Sequence, residues 1–151
     1  MISKESILIV DDEAGPRESL RMILKPIYEV HTAENGQEAI NFISQNKVDI
    51  VTLDLNMPGL PGIEVLKEIK RIQPDIEVMI VTGYGTLCNA QETTRYGAGD
   101  FISKPFNVAE IIAIVSKAFE RRRYKTKIEV FIEQMKNLRS SFDENKETLP
   151  R

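Results

Sequence analysis

Apolar positions alternate between two rhythms along the chain. Short, mostly apolar runs, rich in β-branched residues, occur at residues 7–10, 50–53 and 76–81, the first of them unbroken. Each reads as a strand, and residues 50–53 have the pattern of one buried on both faces. Residues 28–33, with Val30 as apolar anchor, and residues 101–103 read as two further strands. Between the strands, apolar residues recur at helical spacing. Leu20, Ile23 and Leu24 form one such face, Ala39, Ile40 and Ile43 a second, and Ile63, Leu66 and Ile69 a third. Val108, Ile111, Ile112, Val115 and Phe119 form another, in a helix starting near Asn107. Pro16 suits the opening of the first helix and Pro26 ends it. Asn35-Gly36 turns the chain into the second. A helix over residues 87–96 has few large apolar residues and is expected to pack loosely, with Gly97-Ala98-Gly99 stopping it. Five strands alternating with five helices call for a parallel sheet covered on both faces. With right-handed crossovers, the simplest solution is an α/β fold: a five-stranded, doubly wound parallel sheet.

Beyond residue 121 the pattern changes. Tyr124, Ile128, Phe131, Met135, Leu138 and Phe142 are spaced 4, 3, 4, 3, 4, an a/d seam of fewer than three heptads. No Gly or Pro interrupts residues 106–149, so the fifth helix can run straight into this tail. Two readings remain open: a dimeric coiled coil, or an amphipathic helix folded back on its own domain. The narrow seam and charged flanks favour the coiled coil. The polar end, from about Asp143, is expected to fray.

Charge supports the same division. The net charge of −3 conceals a basic tail, with nine Lys/Arg against five Asp/Glu in residues 121–151, and a body with eleven against eighteen. The expected domains are therefore residues 1–121 and a helical extension, 122–151. No apolar run approaches the ~20 residues that span a bilayer, and the first residues form no secretory signal. The lone Cys88 rules out an internal disulfide, which suits the cytoplasm. One His and one Cys cannot build a zinc site by themselves, and His31 reads as structural.

The expected strands end on polar residues. Asp11-Asp12 follow the first, Asp54 the third, Thr82 ends the fourth, and Lys104 follows the fifth. In a parallel sheet these side chains gather at one edge, where open α/β sheets bind ligands. Three carboxylates in one crevice repel one another, and a hard divalent cation relieves that repulsion, Mg²⁺ above all where phosphate is handled. A metal, an ammonium and a hydroxyl together suit a transferred phosphoryl group. A central carboxylate can be the nucleophile, giving an aspartyl phosphate. Taken alone, Asp54 could merely cap a βα loop; the five residues together point to phosphoryl chemistry.

That set, Asp11-Asp12, Asp54 within Asp-Leu-Asn-Met-Pro-Gly, Thr82 within Val-Thr-Gly-Tyr-Gly, and Lys104-Pro105-Phe106, resembles a two-component response-regulator receiver domain, and the match covers residues 5 to about 121. The resemblance implies a flavodoxin-like fold and a phosphorelay switch, not an enzyme with a substrate of its own. It implies that Asp54 accepts a phosphoryl group from a sensor histidine kinase. It further implies that Asp11, Asp12, Asp54 and the backbone carbonyl of Asn56 hold Mg²⁺. Thr82 would bond the phosphoryl oxygen, Lys104 would pair with it, and Phe101 would be the switch aromatic. The family often makes the Lys104–Pro105 peptide cis. Val-Thr-Gly-Tyr-Gly is similar to receivers of sigma-54-dependent transcription activators. That similarity implies an output domain or downstream partner in transcription, and the heptad seam of the tail leads us to expect a homodimer through the C-terminal helix. The chain has no ATPase phosphate loop. The alternative, a Mg²⁺-dependent phosphatase with an Asp nucleophile, calls for an acid two residues after Asp54, where this chain has Asn56. Arg121-Arg122-Arg123 reads as a solvated helix face rather than a nucleic-acid contact.

Overall fold

The computed structural model describes residues 4–83 and 87–147. The elements run β1 (Ser6–Val10), α1 (Ala14–Leu24), β2 (Glu29–Ala33), α2 (Gly36–Gln45), β3 (Ile50–Leu53), α3 (Gly62–Ile72), β4 (Glu77–Thr82), α4 (Leu87–Arg95), β5 (Ala98–Ser103) and α5 (Val108–Glu147). The strands form one parallel sheet in the order β2-β1-β3-β4-β5. This is the doubly wound, flavodoxin-like arrangement expected. Tyr84 and Gly85, expected in the loop after β4, lie outside the described residues. The chain divides into two compact units, Met1–Ala118 and Phe119–Arg151.

In the first unit, strands β1 and β3 are buried along their whole length because helices cover both faces. Leu8, Val10, Val51, Leu53, Val78 and Ile80 pack with Ala39 and Ile43 of α2 and with Val65, Leu66 and Ile69 of α3. Strand alternation turns Ile7, Ile9, Ile50, Met79 and Val81 to the opposite face, where Leu20, Leu24, Ile111 and Val115 are also buried. Each large side chain so buried contributes about 1.5–3 kcal/mol relative to exposure. Asn35 caps α2 by accepting the Glu38 N–H at 2.9 Å, and the Glu38 carboxylate accepts the Glu34 N–H at 2.8 Å. The first bond satisfies a donor that the helix start leaves unpaired, and the second fastens the residue before the cap.

Several expectations need correction. β5 begins at Ala98, not Phe101. Gly97 alone stops α4, at φ +102°, where a side chain would be strained. Gly99 sits at a register shift: Val78 pairs with Ala98, but Met79 pairs with Asp100. A bulge of this kind accommodates a glycine that reads as a breaker. Val108 is 55% exposed rather than buried, because it stands in the first turn of α5. Ile40, Ile63 and Ile112 are only half-buried, and Val30 is half-buried because β2 lies at the sheet edge. Among the side chains described on α4, only Thr93 is buried, as the scarcity of large apolar residues there led us to expect.

In the second unit, α5 continues without a break to Glu147, so Asp143 lies inside the helix. Nothing in the sequence there removes a backbone donor or adds glycine freedom. Tyr124, Phe131, Leu138 and Phe142 are each more than half exposed, and Ile128 and Met135 are exposed as well. Val130 and Ile132 add exposed apolar surface beside the seam.

Candidate functional site

The site follows from strand order. β1 and β3 are neighbours, and the chain leaves them in opposite directions, to β2 and to β4. A crevice opens beyond their carboxyl ends at such a switch point. Val10 pairs with Leu53, so the next residues, Asp11 and Asp54, stand side by side. The ladder extends into both: Asp11 N–H donates to the Ala33 carbonyl at 3.1 Å, and Asp54 N–H to the Val10 carbonyl at 3.0 Å. Both carboxylates are thereby held at the sheet edge and nearly buried, at 2% and 4% exposure. Asp12 is exposed beside them. One oxygen from each of Asp11, Asp12 and Asp54 lies within 4.8 Å of the others.

Lys104 arrives from β5, two strands away from β3. Its N–H donates to the Thr82 carbonyl at 2.9 Å, continuing the β4–β5 ladder. Its long side chain then reaches across to both acids. Nζ lies 2.6 Å from Asp11 Oδ2 and 3.1 Å from Asp54 Oδ2. The other oxygens are also occupied: Asp11 Oδ1 accepts the Glu13 N–H at 2.9 Å, and Asp54 Oδ1 accepts the Asn56 N–H at 3.0 Å. Each carboxylate is thus oriented by one ammonium and one backbone donor, both charge-assisted bonds. Lys104–Pro105 is cis, in keeping with the expectation.

Burial pushes the Asp11 carboxyl above its ordinary pKa and outweighs the opposing pull of Lys104 and the Glu13 N–H; the nearby Asp54 charge adds to the rise. Burial alone would lower the Lys104 pKa, but the hydrogen bonds to Asp11 and Asp54 hold it above the usual value. The ammonium is therefore charged at neutral pH and acts as the resting counter-ion of the crevice. Acceptor-only oxygens converging from three directions also fit a hard divalent cation, whose charge the cluster lacks for full compensation.

Thr82 is fully buried, and its Oγ1 accepts a hydrogen bond from Asn56 Nδ2 at 3.2 Å. Phe101 is half-buried and packs against the apolar cluster beneath α2 and α3. Because Ile80 pairs with Phe101 and Thr82 with Ser103, Thr82 and Phe101 share one face of the sheet. Asp11, Asp12, Asp54, Asn56, Thr82 and Lys104 thus come together at one edge of the sheet, whereas Phe101 lies further back along β5, two residues before Ser103, against the core. Two contributions escaped sequence reasoning. One is the Asn56 side chain. The other is Arg17, whose guanidinium donates to the Asp11 carbonyl at 2.9 Å and fastens the loop after β1. A basic residue one position after Pro16, close behind an acidic loop, was the available signal for Arg17; Asn56 gave none.

A doubly wound sheet with acids at its switch point and a lysine reaching over them defines a phosphate-handling α/β class. Within it, the chain belongs to the response regulator receiver domain family, whose model matches residues 7–116. It is 41% identical over 114 residues to sporulation initiation phosphotransferase F of Bacillus subtilis, covering 75% of this chain and 92% of the relative. It is 34% identical over 129 residues to regulatory protein AtoC of Escherichia coli, covering 85% of this chain but 28% of AtoC. A crystal structure of NtrX from Brucella abortus superposes with a TM-score of 0.80 at 32% identity, over 86% of this chain and 30% of that one. AtoC and NtrX are sigma-54 activators, the subfamily that Val-Thr-Gly-Tyr-Gly suggested. Receiver domains are signalling switches of two-component systems and bind Mg²⁺ at an acidic pocket. No helix among the described residues is long and apolar enough to cross a membrane.

Proposed function

We propose that this chain is a phosphorelay receiver whose Asp54 takes a phosphoryl group from the phosphohistidine of a sensor histidine kinase. An Asp54 carboxylate oxygen attacks phosphorus, the P–N bond breaks, and its electron pair leaves with the imidazole. The observation that carries this reading is the Lys104 ammonium held on both Asp54 and Asp11. A cation already in hydrogen-bond reach of the nucleophile is in reach of the oxygens that phosphorylation adds. Asp11, Asp12, Asp54 and the Asn56 carbonyl would hold Mg²⁺, which supplies further charge compensation for the transferred group. Thr82 then donates its hydroxyl to the phosphoryl oxygen. The space it leaves admits the Phe101 ring, and the altered face around α4 and β5 is the signal. The chain acts as a switch that promotes its own phosphorylation and dephosphorylation.

We further propose that the signal passes to an output domain or downstream protein in transcription, within the cytoplasm. The division is residues 1–121 as receiver and 122–151 as linker. The exposed apolar seam of the tail supports a homodimer through this helix. The direct test is labelling of residues 1–151 with acetyl phosphate. Mg²⁺-dependent labelling that disappears in Asp54→Asn is expected, since the two side chains are nearly isosteric. Labelling that persists in the variant sinks the assignment.

A further inference from the structure

We propose that the Asn56 side chain is a latch on Thr82, a positioning residue that sets how readily the site takes up a phosphoryl group. The inference rests on Asp54 being the phosphoacceptor. Thr82 is fully buried, so its hydroxyl needs a protein partner, and the Asn56 carboxamide provides one at 3.2 Å. That bond ties the hydroxyl to the loop after β3. Thr82 Oγ1 accepts this bond, so its proton stays available to an acceptor, but the oxygen is held in place, and Thr82 cannot shift toward a phosphoryl group until the carboxamide lets go.

The latch is rooted on the reacting group. Asn56 N–H donates to Asp54 Oδ1 at 3.0 Å, so the peptide that carries the carboxamide is itself positioned by the nucleophile. Phosphorylation removes charge from the Asp54 carboxyl and places it on the phosphoryl oxygens. The Asn56 N–H bond then weakens from charge-assisted to neutral, while the Thr82 hydroxyl proton gains a charged acceptor that draws the side chain away from the carboxamide. Both changes favour release. Asn56 is exposed and packs into no core, so its side chain can swing to solvent. Thr82 and Phe101 share one sheet face, which connects release to the aromatic ring.

The strength follows from the kind of bond. One side-chain hydrogen bond between neutral groups shifts an equilibrium by about three- to tenfold. When the competent state is a minority, removing the latch tightens apparent affinity by the same factor. Beryllofluoride with Mg²⁺ serves as the phosphoryl probe, titrated into residues 1–151 with threonine methyls followed by NMR. Asn56→Ala should tighten beryllofluoride binding about three- to tenfold and move the resting Thr82 methyl signal toward its bound position. In Thr82→Val, which has no hydroxyl to hold, adding Asn56→Ala should leave affinity unchanged. A merely structural loss would weaken binding on both backgrounds. Unchanged or weaker binding in Asn56→Ala, with wild-type binding intact, overturns the latch alone. A wild-type chain that ignores beryllofluoride overturns the phosphoacceptor reading and the latch with it.

Discussion

Replacing Lys104 with methionine keeps the stem and removes the ammonium. Two nearly buried carboxylates then lose their shared counter-ion, at 2.6 and 3.1 Å, in a site where the lysine side chain is only 14% exposed. Breaking a buried ion pair from one side costs about 3–5 kcal/mol. For a chain of this size that is roughly a 10–15 °C fall in melting temperature. The sign of the pH dependence follows from linkage. The folded-state pKa of Asp11 is already raised, and losing Lys104 removes an influence that lowers it. A carboxyl with a raised folded pKa favours folding only below its unfolded value and loses that contribution as pH rises through the folded one. Lys104, also raised, favours folding at every pH below its unfolded value and loses that contribution as pH rises through the folded one. The deficit of Lys104→Met should therefore be smallest near about pH 4 and grow toward about pH 8. Urea denaturation without metal at several pH values measures it. Added Mg²⁺ should stabilise the variant more than the wild type, because no ammonium competes for the same oxygens. A deficit below about 1 kcal/mol at pH 8, or one that is flat with pH, refutes the counter-ion argument.

Three other outcomes are expected. Mg²⁺ should raise the wild-type melting temperature by mass action, and Asp12→Asn should weaken that effect while raising stability without metal; calorimetry decides both. Gly62→Ala should destabilise by about 1–3 kcal/mol in a denaturant titration, because its Cβ would stand 2.6 Å from Leu55 Cα, which is backbone and cannot swing aside. Residues 1–151 should sediment as a dimer and a version ending near Arg121 as a monomer, with Phe131→Glu abolishing the difference; equal masses would remove the coiled-coil reading.

Much of the fold was readable because burial on both faces leaves a distinct trace. Residues 7–10 are an unbroken apolar run and residues 50–53 an apolar run interrupted only by Thr52, and they are two of the three interior strands. Legibility fell where one residue answered to two constraints. Gly99 looks like a helix stop but accommodates a bulge in β5. Val108 and Ile63 keep helical spacing, yet each lies in the first turn of its helix, where the buried stripe has only begun. The carboxylates, Thr82 and Lys104 were legible because strand ends in a parallel sheet share one edge. The Asn56–Thr82 contact was not, because it depends on which way a loop side chain turns, and periodicity carries no information on that.

The reach of Lys104 also bears on how the chain folds. Its partners lie 93 and 50 residues earlier, at Asp11 and Asp54. As a chain is synthesised, β2, β1 and β3 are all available once residue 53 has emerged, but the positive charge that neutralises their edge is not. An early three-stranded sheet would have to bury two carboxylates without compensation. Domains dominated by such distant pairings acquire their contacts late. The N-terminal half is therefore poorly suited to persist as a folded intermediate at neutral pH. The docking of β5, the last strand made, is what lets the first strand settle, so the edge strand β5 and the interior strands β1 and β3 are bound into one cooperative unit.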